Sequence, residues 1–437
     1  MSAQRIALVC MTPPTDTNEH GGMEMPSYGV RRILAAVLAD PALRGAQVAL
    51  IDVGQPDVEA YVDAIERMDP ELIGFSIYVW STPCMVEVAR RLKARRPERC
   101  VVFGGPSART ALFDLKPYAP AGRYLDALVS AAGEDTFRDI ARLPERSRKA
   151  LESVAGLDLP LPMGWWRTGH RPQPETLDAI ASPYQIGVME PRQVAYLETF
   201  RGCPFSCAFC EWGSETNTRA VFSADYIARE LEAYRRYRPE AVFLVDAGLN
   251  LNPRAFRNLR EAEQRVRFFR DVTLWSEIYP SLVRDEHLEF LSTVRAGYLG
   301  IGLQSIDADV LKDLDRPFEQ RRLEKVVRQV CDVASCELQV IFGLPGDSPA
   351  GFRRTLELAR SMPVGVRAYG CLVLPDALMT RSKPHWNVHY DPVSLRMTSC
   401  LGWSEAELAG TRAWITDEVA RAGGTSGDYW WYFPRSA

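Results

Sequence analysis

Two series of short apolar runs, separated by amphipathic stretches, constrain the fold of this chain more than any other feature. The first series lies in residues 1–150, and its apolar runs are Arg5–Cys10, Gln47–Val53, Leu72–Val79, Cys100–Phe103 and Leu125–Ala131. Apolar runs that alternate with helical patterns predict parallel strands with helices packed on the sheet. We therefore expect residues 1–150 to form a Rossmann-like α/β domain. Ligands of such doubly wound sheets bind beyond the carboxyl ends of the strands.

The second series lies in residues 191–375 and predicts six strand–helix units. Its apolar runs are Val194–Phe200, Val242–Asp246, Val272–Ile278, Tyr298–Ser305, Leu338–Leu344 and Arg367–Leu374. Successive parallel units of this kind predict a (β/α)6 partial TIM barrel with its site at the carboxyl ends of the strands. Residues 151–190 carry several prolines without a sustained period and are expected to be a linker. Residues 376–437 are a short aromatic-rich extension that either closes a core or caps a substrate pocket.

Three cysteines, Cys203, Cys207 and Cys210, directly follow the first apolar run of the second series. Thiolates at this spacing can close around one soft metal centre, such as an iron–sulfur cluster, zinc or copper(I). A structural zinc or an electron-transfer cluster uses four protein ligands, and the next cysteine along the chain is Cys331. Three protein ligands on a four-iron cluster would leave one iron open for a substrate or cofactor. A zinc knuckle and three buried thiols are the alternatives.

The cysteine array and its surroundings resemble the radical S-adenosylmethionine (SAM) enzymes. The matching features are Arg-Gly-Cys-Pro at 201–204, Phe209, Gln304-Ser305 followed by Arg-Pro-Phe at 316–318, and Gly-Leu-Pro-Gly-Asp at 343–347. This resemblance implies a [4Fe–4S] cluster on the three cysteines, at the mouth of the barrel, with SAM beside it. The SAM-binding residues that it implies are Phe209, Gly248, Glu277, Gln304, Ser305, Gly343 and Leu344.

Three segments of the first domain are distinctive: Pro70–Ser76, Val102–Ser107 and Ala132–Glu134. They resemble the cobalamin-binding domains that are attached to many radical SAM enzymes. The alternative is a degenerate Rossmann domain that binds nothing. The cobalamin-binding residues that the resemblance implies are Asn18, Ser76, Tyr78, Trp80, Gly104, Gly105, Pro106, Ser107, Gly133 and Glu134.

The loop after the first strand departs from the pattern of these domains. Many of them carry D-x-H-x-x-G there, and the His ligates cobalt. This chain has Asn18 where that His would be, and His20 lies two places further on. We therefore expect cobalt without a protein His on its lower face, with His20 as a less favoured alternative ligand.

The two resemblances together imply a cobalamin-dependent radical SAM methyltransferase. Such an enzyme moves a methyl group from SAM, through methylcobalamin, to an unactivated carbon of a natural-product-type small molecule or peptide. Rearrangement or ring contraction is one alternative. Another is a methylthiotransferase, whose second cluster would need Cys10, Cys84 and Cys100. An iron–sulfur carrier or sensor is the non-enzymatic alternative, and no single catalytic residue stands out.

Composition narrows the expected partners and compartment. The formal net charge is −4, which does not favour a nucleic-acid backbone as partner. The sequence has no apolar run near ~18 residues and no signal-peptide pattern, so no membrane span or export is expected. Ten cysteines over 437 residues do not make a disulfide scaffold, and three of them have metal-ligand spacing. We therefore expect a cytoplasmic protein that receives electrons from an external donor of the flavodoxin or ferredoxin type.

Overall fold

The computed structural model describes residues 4–12, 23, 25, 27–130, 132–214 and 220–435 of the chain. Two large sheets organise these residues, one in each predicted domain. The strands are β1 (Arg5–Cys10), β2 (Gln47–Asp52), β3 (Leu72–Ser76), β4 (Cys100–Gly104), β5 (Ala127–Val129), β6 (Leu157–Pro160), β7 (Trp165–Arg167), β8 (Val194–Leu197), β9 (Ala241–Leu244), β10 (Thr273–Ile278), β11 (Gly297–Gln304), β12 (Ser335–Phe342), β13 (Gly365–Gly370), β14 (His389–Tyr390), β15 (Met397–Ser399), β16 (Thr425–Ser426) and β17 (Trp430–Phe433).

Helices cover the faces of both sheets. The α-helices are α1 (Tyr28–Leu38), α2 (Val58–Met68), α3 (Thr82–Arg95), α4 (Thr110–Phe113), α5 (Gly133–Arg142), α6 (Arg148–Leu151), α7 (Pro183–Ile186), α8 (Ala224–Tyr234), α9 (Pro253–Val266), α10 (Asp285–Thr293), α11 (Ala308–Asp313), α12 (Gln320–Cys331), α13 (Pro349–Arg360), α14 (Leu378–Arg381) and α15 (Glu405–Arg421). Local signals set several of their starts. The Asn252 side chain accepts hydrogen bonds from the first free N–H groups of α9, and Pro253 occupies its first position.

The first sheet has the strand order β2-β1-β3-β4-β5-β6-β7, and β1 to β5 are parallel. Strand β1 explains why both faces are covered. Its residues Ile6 and Leu8 lie in one buried cluster, whereas Ala7 and Val9 lie in another. The order 2-1-3-4-5 is that of a flavodoxin-like doubly wound sheet, whose ligand crevice lies between β1 and β3. The predicted α/β architecture is confirmed here.

The first sheet extends into the segment that we predicted to be a linker. Strands β6 and β7 form an antiparallel hairpin that pairs with the edge of β5. Pro160 and Pro162 sit at the hairpin turn, where they do not break its short ladder, and the other prolines of the segment follow the hairpin. The chain between the two domains is therefore partly an edge of the first sheet.

The second sheet has the strand order β16-β17-β13-β12-β11-β10-β9-β8. Strands β8 to β13 are all parallel, as the six predicted units require. Strand β17, from the C-terminal extension, pairs antiparallel with β13 and covers that edge. The (β/α)6 partial barrel is thus confirmed, with an added antiparallel strand that the sequence pattern did not predict.

The extension also packs against the first domain. Leu395 belongs to the buried cluster of that domain, and Tyr390 packs against the same cluster. Arg31 of α1 donates a 2.8 Å hydrogen bond to the carbonyl of Val188, just before the barrel. None of the helices in the described part of the chain is both long and apolar enough to span a membrane.

Candidate active site

One large cavity lies where the carboxyl ends of the two sheets meet. Its volume is about 2390 Å³, and both domains contribute to its wall. Single-ligand pockets typically measure roughly 300–1,000 Å³, so this cavity has room for more than one large ligand. The segment 168–174 after β7 and Trp430 of β17 complete the wall. The cavity therefore joins the β1/β3 crevice of the first sheet to the mouth of the barrel.

The loop with the three cysteines starts at the end of β8 and is tied down from several directions. The carboxylate of Asp246, after β9, accepts hydrogen bonds from the backbone N–H of Thr199 at 2.8 Å and from its hydroxyl. The N–H of Ala208 donates to the carbonyl of Leu314 at 3.0 Å. Arg381 of α14 donates to the carbonyls of Ser206, at 3.0 Å, and Cys210. Loops after other barrel strands thus fix this loop at the cavity.

Burial and polar contacts act in opposite directions on the thiols of the cysteine loop. Burial raises the pKa of Cys203, and burial raises the pKa of Cys210 to about 11. Backbone N–H groups of Phe205 and Trp212 oppose these shifts. The guanidinium of Arg316 lies 3.9 Å from the sulfur of Cys207. If a cluster binds the three cysteines as thiolates, these N–H donors and the Arg316 guanidinium would stabilise their negative charge.

The three sulfurs do not converge as ligands of a single ion would. Within the ranges that the structure describes, no three His, Cys, Asp or Glu side chains are grouped closely enough to hold one metal ion. A four-iron cluster instead attaches its cysteines at separate corners of a cube. An arrangement that holds no single ion is therefore compatible with such a cluster.

Three of the predicted SAM residues, Phe209, Glu277 and Gln304, line the cavity. A β-bulge in β11 re-aims Gln304, which has a left-handed φ of +67°. Its side-chain Oε1 is buried and has no hydrogen-bond partner among the described residues. Unusual backbone conformations and unpaired buried acceptors are frequent at ligand sites. Gln304 therefore fits a polar ligand at this end of the barrel.

Gly248, Ser305, Gly343 and Leu344 lie outside the cavity wall. The hydroxyl of Ser305 is fully buried and lies 3.3 Å from the carboxylate of Asp347. Leu344 is also fully buried, and its carbonyl accepts a hydrogen bond from the indole of Trp403. In the structure these four residues contact neighbouring protein groups. Their contacts with SAM stay a prediction.

In the first domain, Tyr78 and Trp80 form the most suitable surface for a flat macrocycle. Their rings stack with centroids 4.6 Å apart and planes 18° apart. Trp80 is 43 % exposed, and its indole N–H lies 3.4 Å from the carbonyl of Met11. Ser76 and Pro106 line the same part of the cavity. This surface lies between the loops after β1 and β3, where the strand order places the ligand crevice.

Gly104, Gly105 and Ser107 lie beside this surface but do not line the cavity. Gly105 has a φ of +100°, and a Cβ there would lie 2.8 Å from the carbonyl oxygen of Ile77. Ser107 is buried, and its N–H donates to the same carbonyl. Gly105 therefore lets the loops after β3 and β4 pack closely. The cobalamin contacts of Gly104, Gly105 and Ser107 stay predictions. Asn18 and His20 lie outside the described residues.

Gly133 and Glu134 begin α5. A Cβ on Gly133 would lie 2.9 Å from the side chain of Ile33, so this glycine lets α1 and α5 pack together. Glu134 lines the cavity, and its carboxylate pairs with Arg201 at 2.6 Å. This contact crosses from the first domain to the cysteine loop, and sequence reasoning did not foresee it.

The sequence analysis assigned no role in the site to several other charged residues of the cavity wall: Arg32, Arg109, Glu198, Arg201, Glu211, Arg316 and Asp376. Arg109 of the first domain pairs with Asp376, which lies beyond β13. One carboxylate oxygen of Glu211 is buried without a partner among the described residues. Burial raises the pKa of Glu211 to about 7. A local signal was present for Arg201 and Arg316, which belong to motifs quoted in the sequence analysis, and for Glu211, which follows Cys210.

The fold and the cavity define a two-domain α/β protein with a thiol-bearing barrel mouth facing a flavodoxin-like crevice. Comparison with family models agrees: residues 16–141 match the B12 binding domain, and residues 197–359 match the radical SAM superfamily. The chain therefore combines a B12-binding domain with a radical SAM domain that follows it. These two domains imply SAM, a [4Fe–4S] cluster and cobalamin as cofactors.

Two curated relatives have methyltransferase names. One is the 2-(S-pantetheinyl)-carbapenam-3-carboxylate methyltransferase of Streptantibioticus cattleyicolor, which is 30 % identical over 365 residues, or 72 % of this chain and 50 % of that protein. The other is the cobalamin-dependent radical SAM methyltransferase TokK of Streptomyces tokunonensis, which is 28 % identical over 73 % of this chain and 49 % of that protein. The chain thus spans about half the length of these relatives.

Two solved structures share the fold along most of the chain. The radical SAM methyltransferase TsrM of Kitasatospora setae has a TM-score of 0.70 at 15 % identity, covering 96 % of this chain and 89 % of that one. The cobalamin-dependent radical enzyme OxsB has a TM-score of 0.68 at 14 % identity, covering 96 % of this chain and 67 % of that one. At these identities the likeness concerns the fold alone.

Proposed function

We propose that this protein is a cobalamin-dependent radical SAM methyltransferase that methylates an unactivated carbon of a natural-product-type small molecule. The observation that carries this proposal is the single cavity that receives both the cysteine loop and the Tyr78–Trp80 surface. Two separate pockets would not let two large cofactors act on one substrate. The names of the curated relatives support the reaction class.

The residues of the chain would hold and orient the reactants. When bound, the reduced cluster supplies the electron that cleaves SAM to a carbon radical, and cobalamin carries the methyl group. Cys203, Cys207 and Cys210 would hold the cluster and leave one iron open for SAM. Glu277 and Gln304 would bind polar groups of SAM, and the stacked Tyr78 and Trp80 would contact the corrin ring. The surrounding apolar wall would exclude water from the radical chemistry.

The substrate would lie between the two cofactors, against the C-terminal part of the cavity wall. Tyr369, Tyr429 and Trp430 supply aromatic surface there, next to the polar Gln339. Aromatic and apolar walls with a few polar groups suit an organic molecule of moderate size. A peptide is the second substrate class that this wall could take.

The reaction would need an electron donor, for which we propose a flavodoxin- or ferredoxin-type protein. We also propose a cytoplasmic location, because all ten cysteines are free thiols in the structure. Free thiols and an oxygen-sensitive cluster are both consistent with a reducing compartment.

A methylthiotransferase is the weaker alternative, because its second cluster would need three convergent cysteines in the first domain. Cys10 and Cys100 lie in the buried cluster on one face of the first sheet, whereas Cys84 lies in the cluster on the other face. Burial raises the pKa of Cys84 to about 11 and that of Cys100 to about 12. Cys84 and Cys100 therefore behave as apolar core residues, whereas the thiol of Cys10, at the cavity wall, donates to Asp52.

Anaerobic reconstitution with iron, sulfide and hydroxocobalamin tests the proposal. We expect one corrin and one four-iron cluster per chain, and a variant with Cys10, Cys84 and Cys100 all changed to Ala should keep its full iron content if it folds. Incubation with labelled SAM and candidate metabolites should then yield both S-adenosylhomocysteine and 5′-deoxyadenosine. Roughly eight irons without corrin would instead indicate a methylthiotransferase. Rearranged product without S-adenosylhomocysteine would indicate a ring-contracting or rearranging enzyme.

A further inference from the structure

Four buried charged side chains join the first domain to the cysteine loop: Arg32, Glu134, Glu198 and Arg201, which we call the interdomain latch. Arg32 and Glu134 belong to α1 and α5 of the first domain. Glu198 and Arg201 lie between β8 and Cys203. The close packing of α1 on α5, which Gly133 allows, brings the first two residues together at the cavity wall.

Each cation of the latch contacts a carboxylate of the other domain. Arg32 Nη2 lies 2.5 Å from Glu198 Oε2, and Arg201 Nη2 lies 2.6 Å from Glu134 Oε1. Arg201 also donates from Nε to Glu198 at 2.8 Å, so its planar fork bridges both carboxylates. A lysine has no such fork and could not make both contacts in this geometry.

The latch is well buried and neutral as a set. Its four side chains are at most 21 % exposed, and two carboxylates balance two guanidiniums. The guanidinium of Arg32 is further enclosed by the rings of Tyr28 and Phe222 and donates to the hydroxyl of Tyr226 at 2.9 Å. Burial would raise the pKa of Glu134, but Arg201 outweighs it and holds that pKa at about 2. The pairs therefore stay charged at any ordinary pH.

Four buried charges contribute little to the net free energy of unfolding. Desolvation cancels much of the attraction within buried ion pairs, and apolar replacements are often equally stable or more stable. The directional contacts instead favour one relative placement of the groups that they join. Here they join α1 and α5 to Glu198 and to Arg201, which lies two places before Cys203.

We propose that Arg201, with its latch partners, is a positioning residue that sets the placement of the cysteine loop relative to the B12-binding domain. The latch would thereby fix the separation between corrin and cluster. The first part of this inference, the placement of the cysteine loop, concerns the protein alone. The second part, the separation between corrin and cluster, rests on the proposed function.

Thermal unfolding of the whole 437-residue chain, before reconstitution, tests the first part. Glu134→Gln keeps the shape but leaves Arg201 short of one charge partner, and should lower Tm by roughly 5 °C. The double variant Glu134→Leu/Arg201→Met leaves no unpaired charge, because Arg32 still pairs with Glu198. It should recover most of that Tm, yet its transition should be broader than that of the unaltered chain, because Arg32–Glu198 is then the one latch pair that still couples the two domains.

Arg265→Met is the matched control. Arg265 pairs with Asp225 and Glu261 on the outer surface of the barrel, where its side chain is 48 % exposed. Exposed pairs contribute little, so Tm should change by no more than about 1 °C and the transition should keep its width. A double latch variant that unfolds like this control, in a transition of unchanged width, overturns the first part.

Magnetic resonance of the reconstituted protein tests the second part. Cob(II)alamin and the reduced cluster are both paramagnetic, so their dipolar coupling reports their separation. We expect one narrow coupling in the unaltered protein and in Arg265→Met, and a broadened one in the double latch variant, at equal iron and corrin content. The same narrow coupling in all three overturns the positioning role. Absence of corrin from the unaltered protein would contradict the proposed function instead, and the unfolding experiment would still decide the latch.

Discussion

Gln339 donates a 2.9 Å hydrogen bond from its Nε2 to Oε1 of Glu277, across the bare backbone of Gly300. The same amide lies 3.3 Å from Glu337, which pairs with Arg367. A row of polar side chains therefore runs through the barrel interior and ends at the carboxylate that we assign to SAM. The orientation of Glu277 depends on this row and on the space above Gly300.

The first prediction concerns the space that Gly300 leaves for the side chains of Glu277 and Gln339. A Cβ at position 300 would lie 2.6 Å from Nε2 of Gln339 and would also clash with Glu277, so Gly300→Ala should displace the carboxylate. We expect SAM affinity to fall at least ~10-fold, which corresponds to about 1.4 kcal/mol. Equilibrium dialysis with labelled SAM on reconstituted protein measures it. Gly410→Ala is the control, because no atom lies near that added Cβ; unchanged affinity in both variants would refute the assignment of Glu277.

The second prediction concerns the cluster ligands. Changing Cys203, Cys207 or Cys210 singly to Ala should remove most of the bound iron, because two thiolates cannot retain a four-iron cluster stably. Iron and sulfide analysis after anaerobic reconstitution measures the loss. Cys331→Ala removes a partly exposed thiol of α12 and should leave the iron content unchanged. Full iron in a Cys207 variant would show that the array is not the ligand set.

The third prediction concerns the corrin surface. Trp80→Ala removes one ring of the stacked pair, and an aromatic contact of this kind contributes roughly 0.5–1.5 kcal/mol beyond its buried area. We expect cobalamin to bind about 10-fold more weakly, as measured by titration of its visible absorption. Trp166→Ala, an exposed tryptophan of β7, is the control. Equal retention of corrin by both variants would place the corrin elsewhere in the cavity.

The fourth prediction is a pH dependence of stability that arises from Asp246. Burial raises its pKa from 3.8 to about 7, although Thr199 donates two hydrogen bonds to it. The folded chain therefore keeps a proton that the unfolded chain loses. This contribution is fully present below about pH 4 and disappears as the pH rises to about 7. The free energy of unfolding should fall by up to about 4 kcal/mol across that window.

Urea unfolding before reconstitution, at a series of pH values, measures this effect. Asp246→Asn keeps a similar shape but cannot ionise, so the difference between the two proteins should shrink or reverse as the pH rises. The comparison also removes the contribution of Glu211, whose raised pKa acts in the same direction in both proteins. A pH-independent difference would mean that Asp246 is ionised in the folded chain.

Local patterns were sufficient to predict the strand–helix units and the cysteine loop. The apolar run before Cys203 and the helices after each strand are local features, and the structure confirms the architecture that they predict. Strand ends were harder: the run from Leu72 was predicted to continue to Val79, but β3 ends at Ser76. The N–H of Tyr78 donates to the hydroxyl of Ser81, which turns the chain there.

Features that depend on distant partners could not be predicted. The segment of β6 and β7 contains prolines and resembles a linker until it meets the edge of β5. Ser305 directly follows β11, as expected of a SAM-binding residue, but the loop after β12 brings Asp347 to its hydroxyl. Glu134 and Arg201 are 67 residues apart, and neither has a local signal for the other.

The pairing of β17 with β13 has a consequence for how a newly made chain acquires its structure. All strands of the first sheet, through β7, lie in the N-terminal part of the chain, so this sheet can form before the barrel has been synthesised. Strand β13, in contrast, keeps a bare edge until the extension and α15 have been synthesised. An unpaired edge strand invites association with other chains. The barrel therefore passes through an interval of synthesis in which chaperone binding, or slow translation, would affect its yield most.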